Sequence, residues 1–359
     1  MKFRVLYVSG VFDYWGSQSG NYILYKTLKM IPNLEIKVVG VGSHAFSVFR
    51  PDPEDLHTEF SIRTNVAEFV SRIPAHDFLI MTGPDLSNEI LLSIIQKHNS
   101  KLIVSAMTHW VFGNSESYPE LSPQNFVGPN IQNRKDFFSS IDASILCHST
   151  YSQNVHNISP LKTLRSYVIP LPFDEIDVEH SENTSVKIAK KKILWGTTQP
   201  ETKRKGLDFF QKVLQLLETK VDNDLIIVQT VGHTVDLNTK FEHQKLGYFP
   251  NRTSLSKAYQ NADVFAQTTF ADAGPMMVVE SLKNNLPVVS LKTNISLDLV
   301  GDGINGYLCD GAEDFVEKII QTLFDGTVKM DLDKIKKFNS KESVVQKYEE
   351  MFLDLYQKS

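Results

Sequence analysis

Cysteine is nearly absent: of 359 residues, only Cys147 and Cys309 carry thiols. Two thiols so far apart exclude a disulfide framework and a cysteine-based zinc site, and leave free buried thiols as the simplest reading. Long apolar runs are missing as well. No stretch approaches the roughly 18 apolar residues that would span a bilayer. The charged start Met1-Lys2-Phe3-Arg4 leads into an apolar run too short for a signal peptide. A soluble, cytoplasmic protein is expected.

Positive charge is not in excess either. The formal net charge is −5 and the sequence pI about 6.1, with neither half polybasic. That argues against a nucleic-acid face of the kind counterion release rewards, and no amphipathic basic helix demands a membrane. Glycine (18) and proline (15) are too few for a collagenous or low-complexity chain. Ten histidines form no H-x-x-x-H or H-E-x-x-H set, and no Asp-x-Asp stands at a convincing strand end, so no metal is expected. The spacing of Gly16 and Gly20 after the first strand is not that of a dinucleotide-binding turn, which disfavours a nicotinamide cofactor.

What is present is a repeated alternation of short apolar run, turn and helical periodicity, the mark of βα units on parallel sheets. The length suits two domains at about 100–200 residues each. The first series has strands at Phe3–Ser9, Ile36–Val41, Phe78–Met81, Leu102–Met107, Ala143–Cys147 and Tyr167–Ile169, with helices near 20–31, 64–72, 86–98 and 131–139. The second has strands at Lys192–Gly196, Leu225–Gln229, Asp263–Gln267, Pro287–Leu291 and Gly306–Leu308. Between them, Pro170-Leu171-Pro172 and the acidic stretch after it read as a linker. The division predicted is 1–172, 173–339 and an amphipathic closing helix in 340–359, with Val344, Tyr348, Met351, Phe352 and Tyr356 on its apolar face. The fold class is α/β: two Rossmann-like, doubly wound domains, whose ligands belong in a central cleft at the carboxyl ends of the strands.

Two loops of the second series carry chemistry. After Gly196 comes Thr197-Thr198-Gln199-Pro200-Glu201-Thr202-Lys203-Arg204-Lys205-Gly206, then the helical run from Leu207. Lys203, Arg204 and Lys205 crowd a helix entrance, where cations oppose the macrodipole unless an anion joins them; the choice is a phosphate-binding loop or a solvated cluster. The second loop, in Gln267–Pro287, contains Asp272-Ala273-Gly274-Pro275-Met276-Met277-Val278-Val279-Glu280. Gly274 and Pro275 suit a helix start, and Asp272 and Glu280 flank the open amides of Met276 and Met277. Carboxylates that accept vicinal hydroxyl bonds, beside amides that hold a diphosphate, describe a site for a sugar nucleotide.

That segment, with Leu286-Pro287-Val288-Val289 and Asp302-Gly303-Ile304-Asn305-Gly306-Tyr307-Leu308, resembles the C-terminal signature of the retaining glycosyltransferases of family 4, which have the GT-B fold. The resemblance covers about residues 192–310. It implies that Asp272 contacts the donor sugar's hydroxyls, that Glu280 contacts the nucleotide ribose, and that Lys203, Arg204 and Lys205 are alternatives for holding the donor diphosphate. Lys205-Gly206 sits nearest the family's Lys-Gly. Gly247-Tyr248 resembles the loop that packs on the nucleotide base. In the first domain, where such enzymes seat the acceptor, Gly16 loosely matches a turn approaching the donor phosphates. His109 stands where the family often places a histidine that touches the donor; a lone histidine beside Trp110 and Phe112 is equally read as a packed structural residue.

The activity implied is transfer of a sugar from a nucleotide-diphosphate-sugar co-substrate to an acceptor hydroxyl with retention, without metal or other cofactor. Polysaccharide or glycoconjugate assembly is the setting, with a glycan or lipid-linked acceptor and peripheral contact with the inner face of a membrane. Asp272 stands where Glu is commoner, and Thr198 where many members have Arg. These departures motivate an alternative, a non-catalytic GT-B subunit that binds a partner glycosyltransferase or a carbohydrate. A sugar-nucleotide epimerase would need acid and base residues that the sequence does not display.

Overall fold

The computed structural model describes residues 2–9, 16–41, 50–60, 66–82, 86–105, 136–158, 161–172, 190–197, 200, 205–249, 252–270, 276–292, 294–326, 328 and 330–358. Two compact units emerge. Among the described residues, unit 1 holds the chain up to Pro172 and again from Phe338, and unit 2 holds the chain from Lys190 to Lys337.

Unit 1 runs β1 (Phe3–Ser9), α1 (Gly16–Lys29), β2 (Leu34–Val41), β3 (Leu56–Phe60), α2 (Val66–Arg72), β4 (Phe78–Met81), α3 (Asn88–His98), β5 (Lys101–Ser105), α4 (136–140), β6 (Ser144–Cys147), α5 (Thr150–Ile158) and β7 (Arg165–Val168). Its seven strands lie in the order β3-β2-β1-β4-β5-β6-β7, all parallel. The central strands β4 and β6 are buried at every residue, as a sheet covered on both faces requires. Phe78 meets Phe3 edge to face, at 5.6 Å between ring centroids.

Unit 2 runs β8 (Lys191–Thr197), α6 (Leu207–Leu217), β9 (Ile226–Gly232), β10 (Glu242–Gly247), α7 (Arg252–Gln260), β11 (Val264–Gln267), α8 (Met276–Lys283), β12 (Val288–Leu291), α9 (Asn294–Leu297), β13 (Gly306–Cys309) and α10 (Ala312–Ile320). The six strands lie in the order β10-β9-β8-β11-β12-β13, again all parallel. Alternate residues of β11 part to the two faces. Val264 and Ala266 join the core under α6 and α10, with Phe210, Val213, Leu214, Phe315 and Ile319. Phe265 packs on the ring of Tyr259 from α7. Helices therefore cover both faces, and the strand order reverses between β8 and β11, where open sheets of this kind bind ligands.

The chain continues through α11 (Asp333–Asn339) into α12 (Lys341–Gln357), which returns to unit 1. Ser340 caps α12 by accepting a hydrogen bond from the Ser343 amide. Four of the five residues expected on its apolar face are buried: Val344, Tyr348, Met351 and Phe352. Phe352 lies 4.9 Å from Phe78, centroid to centroid. Tyr356 is exposed yet rests its ring against Phe3, while Leu355 takes the buried place. At the return to unit 1, Asn339 Nδ2 donates to the Leu171 carbonyl at 3.0 Å. Among the described residues no helix is long and apolar enough to cross a membrane.

Candidate functional site

The site grows from the adjacent carboxyl ends of β8 and β11. The β8 strand closes on Gly196-Thr197, and a Cβ at Gly196 would fall 2.4 Å from Val231 Cγ2 and 2.6 Å from Met277 Cε. Glycine here leaves room for the tip of Met277, in the first turn of α8, to lie on the strand end. Gly206 precedes α6 with a φ of +71°, and a Cβ there would lie 2.1 Å from the Thr268 carbonyl oxygen. The backbone at the end of the basic loop is thus pressed against the residue that follows β11.

Thr268 fixes this arrangement with its hydroxyl. Its Oγ1 accepts from Trp195 Nε1 at 2.7 Å and donates to the Lys205 carbonyl at 3.2 Å. Trp195 is held in turn by stacking on Phe210, with ring centroids 5.2 Å apart and planes 6° from parallel. All this is inside the unit: Thr268 is 0% and Trp195 1% exposed. Half-buried Lys205, the first turn of α6 and the first turn of α8 are therefore delivered to neighbouring strand ends by buried contacts. Helix N-termini with a lysine beside them present open N–H groups and a cation to an anion.

Glu280 lies one turn further into α8. It is 8% exposed, and burying a carboxylate requires hydrogen-bonded company. Tyr259 at the end of α7 supplies some, its hydroxyl donating to Glu280 Oε2 at 2.9 Å.

Of the residues singled out from the sequence, the structure brings Lys205, Met276 and Met277 to the β8 and β11 ends and sets Glu280 on the buried side of α8. Gly247 closes the edge strand β10 at a φ of +68°, and the neighbouring Tyr248 is 49% exposed. Gly16 is the first residue of α1 in unit 1. Asp272, Gly274, Pro275, Lys203, Arg204 and His109 lie outside the described residues. Sequence reasoning passed over Thr268, Trp195 and Tyr259, whose parts depend on partners far along the chain. The only hint was a polar Gln-Thr-Thr closing an apolar strand.

Among the described residues one carboxylate group has the compactness of a cation site: Asp52, Glu54 and Asp55 in unit 1, with ligand atoms within 4.8 Å of one another. The Lys29 ammonium already bonds all three, at 2.7 Å to Asp55 and 3.4 Å to Glu54. The group thus already holds a cation from within the protein.

No curated protein matches the chain. Solved structures do. HepE from Anabaena, in complex with UDP and glucose, shares 13% identity at a TM-score of 0.70, covering 98% of this chain and 100% of HepE. Sucrose-phosphate synthase from Thermosynechococcus elongatus shares 12% at 0.70, with 100% of both chains covered. A glycosyltransferase from Rickettsia africae shares 14% at 0.69, again with 100% of both. The fold is thus the two-sheet α/β architecture of GT-B glycosyltransferases. The segment that holds every site feature of unit 2 described above, residues 186–339, matches the model of the family described as Glycosyl transferases group 1.

Proposed function

We propose that the chain is a glycosyltransferase of the family 4 type, moving a sugar from a nucleotide-diphosphate-sugar donor to an acceptor hydroxyl with retention of configuration. The observation that carries this reading is the locking of Lys205-Gly206 against Thr268, beside the α8 entrance and inside the segment that matches the family model. The complex of HepE with UDP and glucose supports it, since that protein has the same fold and holds a nucleotide diphosphate.

In this mechanism the unit 2 site holds the donor. Lys205 and the amides of Met276 and Met277 face negative charge building on the departing diphosphate, with Lys203 and Arg204 as further cations; donors fixed in advance need no reorganisation as the bond breaks. Glu280 accepts from the ribose hydroxyls and Asp272 from those of the sugar. His109 is a further candidate for contact with the donor. The proposed reaction uses no metal and no cofactor beyond the co-substrate. The acceptor is a glycan or lipid-linked hydroxyl in polysaccharide or glycoconjugate assembly, met in the cytoplasm or at the inner face of a membrane.

The test is binding of nucleoside diphosphates and their sugar conjugates, with EDTA present, followed by turnover with the donor so found. Lys205→Ala and Glu280→Ala should each weaken donor binding or turnover ten-fold or more, since a charged hydrogen bond is worth about 1.5–3 kcal/mol. Folded protein that binds none of these compounds overturns the reading and favours a partner-binding subunit.

A further inference from the structure

We propose that Tyr259 is a positioning residue for Glu280, setting how tightly the ribose hydroxyls of the donor are held. This rests on the reading of Glu280 as the ribose-binding carboxylate. A glutamate loses rotamer freedom when fixed, and a carboxylate meant to take two vicinal hydroxyls has to be held to about half an ångström. Tyr259 does this before the ligand arrives. Its hydroxyl donates to Glu280 Oε2 at 2.9 Å, and its ring, 1% exposed, is set edge-on against Phe265 of β11 at 6.1 Å.

The next residue repeats the pattern one turn on. Gln260 Nε2 donates to Asn284 Oδ1 at 3.2 Å, and Asn284 Nδ2 donates back to the Glu280 carbonyl at 2.8 Å. Two consecutive residues at the end of α7 therefore grip position 280 within α8 and position 284 just past its end, four residues apart and so stacked on one side. This closed set orients the glutamate through its side chain and its backbone together.

The experiment measures affinity for the tightest-binding nucleoside diphosphate among UDP, GDP, ADP and CDP, and for its 2′,3′-dideoxy counterpart. The proteins are wild type, Tyr259→Phe, Glu280→Gln and the double variant, each checked for an intact thermal transition. Wild type should prefer the ribo form ten-fold or more, and Glu280→Gln should abolish that preference. Tyr259→Phe, which keeps the packed ring, should cut the preference three-fold or more by weakening the ribo form alone, and should add nothing in the Glu280→Gln background.

Equal weakening of ribo and dideoxy forms by Tyr259→Phe, or no change, overturns the positioning role while leaving Glu280 in place. An unchanged preference in Glu280→Gln, or no nucleotide binding by the wild type, overturns the site reading itself and this inference with it. If Tyr259→Phe does not fold, Gln260→Ala replaces it. That variant removes the donor to Asn284 Oδ1 and should lower the same preference two-fold or more; an unchanged preference overturns the proposal.

Discussion

Thr268 and Lys205 are joined across 63 residues by a single hydroxyl that accepts from the Trp195 indole N–H and donates to the Lys205 carbonyl. The end of the basic loop is thus anchored through its backbone. Thr268→Val preserves the shape and removes both bonds, leaving a buried indole N–H without an acceptor. Unit 2 should lose about 1–3 kcal/mol, and nucleoside diphosphate affinity should fall several-fold. Thr268→Ser should restore most of both. Denaturant unfolding and calorimetric titration of the three proteins check this; a Val variant indistinguishable from wild type would remove Thr268 from the site.

Two glycines in the left-handed region separate backbone strain from collision. At Gly206 a methyl group would meet the Thr268 carbonyl oxygen at 2.1 Å, whereas at Gly247 it would meet nothing within 4 Å. Gly247→Ala should cost only the conformational penalty of about 1–2 kcal/mol. Gly206→Ala adds displacement of the Lys205 backbone and should cost distinctly more, together with nucleotide binding. Thermal melts of the pair decide it, and equal losses would contradict the packing described.

Acid should weaken unit 1 through its buried histidines. Burial lowers both His76 and His148 to about 4. His148 is 4% exposed; its Nδ1 donates to the Ile169 carbonyl at 2.9 Å, so its Nε2 accepts from the Ser105 hydroxyl. The unfolded chain binds these protons near pH 6.5 and the folded chain does not. Their contribution is therefore fully present above about pH 6.5 and is lost progressively down to about pH 4, at up to 1.4 kcal/mol per pH unit for each histidine. Asp52 and Asp77, held low by Lys29 and Arg4, act only below that window. Urea unfolding at half-unit steps from pH 7 to 4 should show the slope; a flat profile there would mean that these rings accept protons without cost.

Both thiols should resist modification in the folded protein. Cys147 and Cys309 are 0% and 1% exposed, and burial pushes Cys147 up to about 12 and Cys309 higher still. The thiolate is the reactive form. An aromatic disulfide reagent at neutral pH should find no reactive thiol in native protein and two after denaturation. Rapid labelling of either in the native state would contradict its burial.

The two sheets were legible in the sequence because their inner strands are near-continuous apolar runs such as Phe78-Leu79-Ile80-Met81. The edge strands β3 and β10 were not. Leu56-His57-Thr58-Glu59-Phe60 and Glu242-His243-Gln244-Lys245-Leu246-Gly247 each pair along one side only, and carry the polar residues an unpaired edge tolerates. The α1 helix begins four residues before its apolar periodicity, since Gly16-Ser17-Gln18-Ser19 offers no hydrophobic spacing. At the site, Lys205-Gly206 and Glu280 could be picked out because their residue types and spacing are local. The burial of Glu280 and its tyrosine partner could not, because α7 and α8 meet only in the folded unit.

The return of α12 to unit 1 fixes an order of events on the ribosome. Phe3 and Phe78 are translated early, yet the Phe352 ring that covers them comes from a helix made after the whole of unit 2. The domain that starts first is therefore the one that finishes last. Its aromatic face stays open throughout synthesis of its neighbour, and that interval is when the nascent chain has most need of a chaperone.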